Sequence, residues 1–194
     1  MDCGLKVDVL MHEREAFRPT STGHLIRRVI EGAQTHVWEA GKPFAAGELR
    51  APDHELWILH PNGEDLPTGP APASLQVVLV DGSWKQATAM MKTLSGWGRR
   101  VRLPITGQSR YWLRNQLGPE QFSTAEALLF LLKALGREEA HERFRLQFEL
   151  HVYAMLCARG EKTEAAEYLQ QSPIAAAMPA LVAKLNHCRK DYYY

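Results

Sequence analysis

The sequence predicts an α/β fold in which a mainly parallel sheet is flanked by helices. Short runs of β-branched and aromatic residues alternate along the chain with longer segments whose apolar residues recur at helical spacing, an order typical of parallel sheets. Residues 77–80 give the clearest strand signal, because this apolar run ends at the turn residues Asp81 and Gly82. The 194 residues suffice for one domain with a sizeable core, or for one domain with a helical extension.

Five strands are predicted from apolar runs that are too short to be helices. The run at 56–59 is followed by His60-Pro61-Asn62-Gly63, a strong turn signal, so we expect the chain to leave the sheet there. The predicted strands comprise residues 7–12, 35–38, 56–59, 76–80 and 100–103.

Helix boundaries are predicted from capping residues and glycines. Thr22 is the candidate N-cap of the first helix, and a second helix begins near Ser83 or Trp84. Ser123 or Thr124 caps a third, with Glu126 close to the N3 position of a capping box. Further helices are predicted over about 138–158 and over 163–187. The glycines that end or separate these helices are Gly32, Gly96, Gly136 and Gly160.

The bulk properties predict a cytoplasmic protein with no membrane partner. No apolar run approaches the roughly 20 residues needed to cross a bilayer, and the N-terminus Met1-Asp2-Cys3-Gly4 lacks the basic and apolar regions of a signal peptide. The three cysteines Cys3, Cys157 and Cys188 are widely spaced and odd in number. We therefore expect reduced, structural thiols and no metal site.

Basic residues are unevenly distributed, although the net charge is only +1. Residues 51–79 carry four acids and no Lys or Arg, whereas residues 80–120 carry seven bases against two acids. Arginine supplies 15 of the 23 basic residues, and guanidinium groups bind phosphates and carboxylates in bidentate geometry. Two interpretations stay open, namely scattered solvated arginines or a local basic face for RNA.

Three predicted loops, at 60–65, 81–84 and 104–114, follow strands and would share one edge of a parallel sheet, where α/β proteins bind ligands. Their aromatic, hydroxyl, acidic and guanidinium groups suit a ligand with an aromatic ring, hydroxyls and an amino-acid tail. S-adenosylmethionine has these parts. The phosphate-binding motif GxxxxGK[ST] and the dinucleotide motif GxGxxG are both absent.

The chain resembles the DTW-domain family in four ordered blocks that span about residues 7–150. Asp81-Gly82-Ser83-Trp84 is similar to the family signature Asp-x-(Thr/Ser)-Trp, with serine in place of the more usual threonine. The segment from His12 to Ile26 resembles the first block, with Ser21-Thr22-Gly23 where the family usually has Asn-Thr-Gly. Ser109-x-Tyr111-x-Leu113-Arg114 and Ser123-Thr124-Ala125-Glu126-Ala127 match the later blocks.

This resemblance implies a tRNA-uridine aminocarboxypropyltransferase related to the SPOUT superfamily. Such an enzyme moves the 3-amino-3-carboxypropyl group of S-adenosylmethionine to N3 of uridine and releases methylthioadenosine. It also implies a SPOUT-like trefoil knot around the cofactor site, a catalytic domain over 1–150, and a helical extension over 151–194 packed on that domain. Only Cys3 precedes the first strand, so the N-terminal cysteine cluster of many family members is missing or truncated, and we expect RNA affinity or the choice of tRNA site to differ.

The resemblance and the loop positions together imply roles for individual residues. The residues expected to be catalytic are Asp81, Ser83 and Trp84, with Asp81 either taking the N3 proton or anchoring the α-ammonium group. The residues expected to bind the cofactor are His60, Pro61, Asp81, Gly82, Pro104, Ser109, Tyr111, Leu113, Arg114, Ser123, Thr124, Ala125 and Glu126. The residues expected to contact tRNA are Arg14, Arg18, Thr22, Gly23, Arg27, Arg28 and Arg110.

Several of these residues also have a structural interpretation that does not involve a ligand. Asp81 could be a turn residue that caps the next helix, Trp84 a core residue, and Arg114 the partner of Glu126 or another acid. The remaining structural alternatives are N-caps at Ser123 and Thr124, a solvated face at Arg14, Arg18, Arg27 and Arg28, and hydrogen-bonded structural histidines at His12, His24 and His60.

Two other functions stay open on the same fold. One is S-adenosylmethionine-dependent RNA methyl transfer of the SPOUT type, and the other is RNA binding without catalysis. Product analysis separates the first from aminocarboxypropyl transfer, because methyl transfer releases S-adenosylhomocysteine. We expect a monomer or a homodimer, since the apolar faces of the C-terminal helices suit either an internal core or a partner.

Overall fold

The computed structural model describes residues 1–114 and 121–187 and contains a parallel five-stranded sheet. Its strand order is β2-β1-β4-β3-β5, so β4 is central. Every strand pairing is parallel, which confirms the predicted α/β class and mainly parallel sheet. The strands are β1 (Lys6–His12), β2 (Gln34–Trp38), β3 (Glu55–Asp65), β4 (Leu75–Asp81) and β5 (Arg99–Arg102).

Helices cover both faces of this sheet. Within the described residues, none of them is long and apolar enough to cross a membrane. They are α1 (Thr22–Val29), α2 (Trp84–Thr93), α3 (Thr124–Ala134), α4 (Glu138–Arg159), α5 (Lys162–Gln170), α6 (Ile174–Ala177) and α7 (Pro179–His187), with a short 3₁₀ turn at Ala46–Glu48.

The central strand β4 is buried on both faces because successive side chains point to opposite sides of a strand. Val77 and Leu79 belong to the larger core, which contains residues of α1, α3 and α4. Val78 belongs to a smaller core on the other face, where it joins Met90 of α2. Burial on both faces explains why this strand gives an unbroken apolar run in the sequence.

The C-terminal helices pack on α4 and extend the larger core. Tyr168 of α5, Ile174 of α6 and Val182 of α7 are buried in the same cluster as the sheet residues. The expected division at residue 150 falls inside α4, and the separation into a catalytic domain and an extension stays a prediction. Cys3 and Cys157 are buried, and Cys188 lies outside the described residues.

The predicted turn at 60–63 is wrong, since β3 continues to Asp65. Leu59 and Glu64 both lie opposite Val101 of β5, so the residues between them form an irregularity in the strand pairing. A Cβ at Gly63 would lie 2.7 Å from the backbone nitrogen of Val101, so only glycine allows this close approach. The turn signal therefore marks a bulge inside the strand rather than its end.

Capping explains where the helices start. Ser83 and Ser123 are the N-caps of α2 and α3, and each forms a capping box with the residue three positions later, which confirms the box predicted with Glu126. The N-cap of α1 is Ser21 rather than the predicted Thr22. Ser21 makes no cap hydrogen bond with its side chain because its hydroxyl donates to Asp81 instead.

His151 is a partly buried titratable group in α4, a helix that packs against α1. Its Nε2 atom is buried and has no hydrogen-bond partner among the residues that the structure describes. Burial, aided by the positive charge of Arg28, lowers the pKa of His151 to about 4. The folded protein therefore holds this ring neutral at pH values where an unfolded histidine, with a pKa of about 6.5, is already protonated.

We expect His151 to make stability depend on pH. Its contribution is fully present above about pH 6.5 and is lost as the pH falls towards 4, because only the unfolded chain takes up the proton in that window. His151→Leu should flatten the decrease in the free energy of unfolding between about pH 7 and pH 5, measured by urea denaturation. His187→Leu, at the exposed end of α7, is the control. If the free energy of unfolding changes with pH to the same extent in wild type and His151→Leu, this expectation is contradicted.

Candidate functional site

Asp81 is a buried carboxylate at the end of the central strand, with 5% of its surface exposed. The hydroxyl of Ser21 donates to Oδ2 at 2.5 Å, and the hydroxyl of Thr124 donates to Oδ1 at 2.7 Å. Ser21 immediately precedes α1, and Thr124 is the first residue of α3. Three segments that are far apart in the sequence therefore converge on one carboxyl group.

The first turn of α1 lies directly against this carboxylate. A Cβ at Gly23 would be 2.6 Å from Oδ2 of Asp81 and 2.7 Å from Cε of Met11, so there is no room for a larger residue. The neighbouring Thr22 accepts a hydrogen bond from the backbone N–H of Ala125 at 3.2 Å, which joins α1 to α3. Thr22 and Gly23 are both buried. The RNA contacts expected at these two residues stay predictions, although both residues are buried in the protein.

The carboxylate of Asp81 has no ion-pair partner in the described part of the chain, although Arg114 interacts with it electrostatically. No Lys, Arg or His of residues 1–114 or 121–187 forms an ion pair with it. Buried carboxylates are normally paired, because removing an ionised group from water is costly. Each carboxylate oxygen also keeps acceptor capacity after one hydrogen bond. The site is thus chemically suited to a cationic group on a ligand.

Glu126 shapes the loop that follows β5. Its carboxylate accepts hydrogen bonds from the hydroxyls of Ser109 and Ser123 and from the backbone N–H groups of Arg110 and Ser123. Burial raises the pKa of Glu126, and these hydrogen bonds oppose that shift. Glu126, Ser109 and Ser123, which the resemblance assigns to the cofactor, bind one another here and fasten the loop to the start of α3.

The loop after β1 and the loop after β5 are tied together. The hydroxyl of Tyr111 donates to the carbonyl of Thr20 at 2.5 Å, and Arg114 pairs with Glu15 at 2.6 Å. Glu15 is almost fully buried and also pairs with Arg18 at 2.9 Å. Burial raises the pKa of Tyr111, so this phenol stays a neutral donor. The acid that holds Arg114 is Glu15 and not Glu126.

The guanidinium of Arg110 contacts residues of the C-terminal helices. It pairs with the buried Glu149 of α4 at 3.3 Å and donates to Gln171 at 3.0 Å. Its Cζ atom lies 4.1 Å from the centre of the Tyr168 ring and 5.3 Å from that of Trp112. The buried carboxylate of Glu149 and two aromatic rings hold this cation, and the RNA contact expected at Arg110 stays a prediction.

A family model described as DTW domain matches residues 2–157. The chain belongs to the DTW-domain family. This family is associated with tRNA modification, and its match ends inside α4, so helices α5–α7 lie outside it. No solved structure gave a significant match to the chain.

The DTW signature occupies the end of β4 and the start of α2. Gly82 packs against Met90 and Gln86, and a Cβ added there would lie 2.9 Å from Cε of Met90. Ser83 serves as the N-cap of α2. Trp84 is 52% exposed, so the alternative of a core tryptophan is wrong. Of the four signature residues, Asp81 faces the interior, while Ser83 and Trp84 face solvent beside it.

The other expected cofactor residues are less closely connected to Asp81. His60 lies in β3, where its Nδ1 accepts from the backbone of Asn62, and burial and then Arg100 lower its pKa. Leu113 is buried and its carbonyl accepts from Arg159. In the described part of the chain, no hydrogen bond or ion pair joins Asp81 to any of His60, Pro61, Pro104 and Leu113.

Ser21, Thr20 and Glu15 are site residues that sequence reasoning missed. All three lie in the loop after β1, whereas the expected cofactor site comprises loops after three other strands. Asp81 is opposite Met11 of β1 in the sheet, so the loop that follows β1 is a direct neighbour of the carboxylate. The adjacency of β1 and β4 would have identified these residues, but it is not readable from local patterns.

We expect the pair Glu15–Arg114 to stabilise the site. In a double-mutant cycle with Glu15→Gln and Arg114→Met, the coupling in the free energy of unfolding should be about 1–2 kcal/mol, because Glu15 is buried and Arg114 partly exposed. Urea denaturation of the wild type, the two single variants and the double variant measures this coupling. The exposed pair Glu139–Arg143 of α4 is the matched control, with an expected coupling below about 0.5 kcal/mol. Equal couplings for the two pairs would contradict the expectation.

Proposed function

We propose that this protein transfers the 3-amino-3-carboxypropyl group of S-adenosylmethionine to N3 of a uridine in tRNA. The observation that carries the proposal is the buried carboxylate of Asp81, which two hydroxyls orient and which lacks an ion-pair partner in the described residues. A buried anion at the carboxyl edge of a parallel sheet suits the ammonium or sulfonium of this substrate. Membership of the DTW-domain family supports the choice of tRNA.

The proposed reaction is a nucleophilic substitution at carbon. A bond forms between uridine N3 and Cγ of the amino-acid tail, and the bond between Cγ and sulfur breaks. The electron pair of the broken bond goes to sulfur, so the sulfonium becomes the neutral thioether of methylthioadenosine. The proton of N3 leaves to a base, and the charges balance.

The protein's task is to hold the tail so that Cγ, rather than the methyl group, faces the base. Asp81 would anchor the α-ammonium group, because an anchoring role satisfies its unpaired charge. Taking the N3 proton is the alternative role for Asp81. Arg114 uses one nitrogen for Glu15 and keeps other donors for the tail carboxylate, since a guanidinium carries five N–H groups. The N-terminus of α3, beside Thr124, also favours an anion.

Exposed arginines provide the proposed tRNA contacts. Arg14 and Arg18 lie in the loop after β1, and Arg27 and Arg28 lie in the last turn of α1. Phosphate contacts of this kind supply sequence-independent affinity and position an RNA without reading its bases. A trefoil knot around the cofactor site, a cytoplasmic location and a monomeric or homodimeric state stay predictions.

We expect purified protein, S-adenosylmethionine and unmodified tRNA to give aminocarboxypropyl-uridine and methylthioadenosine, detected by nucleoside mass spectrometry. Asp81→Asn keeps the shape of the side chain but removes the charge. If Asp81 is the anchor, this change should raise the KM for S-adenosylmethionine about 10- to 100-fold. If Asp81 is the base, it should lower kcat about 10²–10⁴-fold.

The control is Asp53→Asn, an exposed aspartate in the turn before β3. It should behave like wild type. Release of S-adenosylhomocysteine would reassign the protein to methyl transfer. Measurable S-adenosylmethionine binding without any modified nucleoside across a full tRNA pool would overturn the tRNA assignment.

A further inference from the structure

Two exposed aromatic side chains follow the two neighbouring strands that meet at the buried carboxylate of Asp81. In the described residues, four large hydrophobic side chains are exposed, namely Phe17, Val37, Trp84 and Leu181. Phe17 and Trp84 are the two aromatic ones, and they follow β1 and β4, which are neighbours in the sheet. Isolated exposed apolar residues are ordinary. It is less ordinary for two exposed aromatic side chains to follow the two strands that meet at Asp81.

Phe17 is not needed to shape its own loop, since its side chain is 90% exposed. Backbone hydrogen bonds from Arg18 to Glu15 at 3.0 Å and from Ser21 to Arg18 at 2.9 Å form the turns of this loop. The buried carboxylate of Glu15 holds the loop from inside through Arg114 and Arg18. The phenyl ring is thus presented to solvent by a scaffold that other residues build.

Exposed arginines flank Phe17, and one of them, Arg18, also pairs with the buried Glu15. Arg14 and Arg18 lie in the same loop as Phe17, and both are exposed. A purely apolar protein partner would have to desolvate these guanidinium groups. RNA matches both features, because its phosphates neutralise arginines and its unpaired bases stack on aromatic side chains.

We propose that Phe17 stacks on a nucleobase next to the acceptor uridine. N3 of uridine is a base-pairing position, so the acceptor must be unpaired when it reacts, and its neighbours then offer an open face for stacking. The loop that carries Phe17 returns to Asp81 through Ser21, which places the stacking residue and the carboxylate on one edge. This inference rests on the proposed function for the identity of the acceptor.

The test is direct binding of an unmodified tRNA transcript to wild type, Phe17→Ala, Phe17→Trp and Leu181→Ala. Phe17→Ala should raise the Kd about 5- to 100-fold, the range found when a stacking aromatic is removed. Phe17→Trp should restore binding because it keeps a stacking face. Leu181→Ala, on α7, should match wild type. The affinity for S-adenosylmethionine and the thermal midpoint should not change in any of these variants.

Salt dependence distinguishes stacking from charge. Phe17→Ala should leave the slope of log Kd against log salt unchanged, because the phenyl ring neutralises no phosphate. Arg27→Gln with Arg28→Gln should lower the magnitude of that slope by about one for each phosphate that the replaced arginine neutralises in the wild type. Stacking would be contradicted if Phe17→Ala changed the slope of log Kd against log salt but left the Kd at low salt unchanged.

Binding and turnover together separate this inference from the proposed function. Weaker tRNA binding by Phe17→Ala, in a protein whose wild type makes no aminocarboxypropyl-uridine, would uphold the RNA contact and overturn the proposed reaction. Product formation by Phe17→Ala with the wild-type KM for tRNA would overturn the inference while the reaction stands. A change in sedimentation of the protein alone on Phe17→Ala would assign the ring to self-association and also overturn it.

Discussion

The architecture around the site depends on one buried charge at the end of the central strand. Asp81 has no ion-pair partner in the described residues, but the hydroxyls of Ser21 and Thr124 each bind one of its oxygens and Arg114 interacts with it electrostatically. Those two hydrogen bonds require α1 and α3 to begin close to each other, although Ser21 and Thr124 are far apart in the chain. Gly23 completes the arrangement, because a side chain there would displace the carboxylate. The starts of two helices are thereby positioned by a polar contact rather than by apolar packing alone.

Polar contacts also join the loops that enclose this carboxylate. Tyr111 binds the backbone of Thr20, and Arg114 binds Glu15, so the loop after β5 is held against the loop after β1. These contacts are satisfied within the protein and need no ligand to form. A candidate site built in this way is organised by the protein itself, which would reduce the ordering cost of binding a ligand. The same contacts show that some side chains resembling ligand contacts in the sequence have structural roles.

Local patterns predicted most of the fold, because they reflect interactions within a few residues. The apolar run of β4 and the capping box at Ser123 are of this kind, and both were confirmed. The extension of β3 was missed because it depends on pairing with Val101 of β5, which is distant in the sequence. The roles of Ser21 and Arg110 were missed for the same reason. Their partners lie 60 and 39 residues away, at Asp81 and Glu149. The resemblance to a family suggested candidate positions, but it could not show which of their side chains contact one another.

The contacts of Arg110 join the part of the chain that matches the family to the helices that follow it. The family match ends at residue 157, yet the loop between β5 and α3 is fastened, through Arg110, to Tyr168 and Gln171. The segment that matches the family is therefore shorter than the stretch of chain whose side chains and backbone hold this loop. Tyr168 of α5 and Gln171 just after it support the loop that follows β5, so the loop depends on residues that lie about 60 positions later in the chain. A relative with a different C-terminus must support that loop by other means.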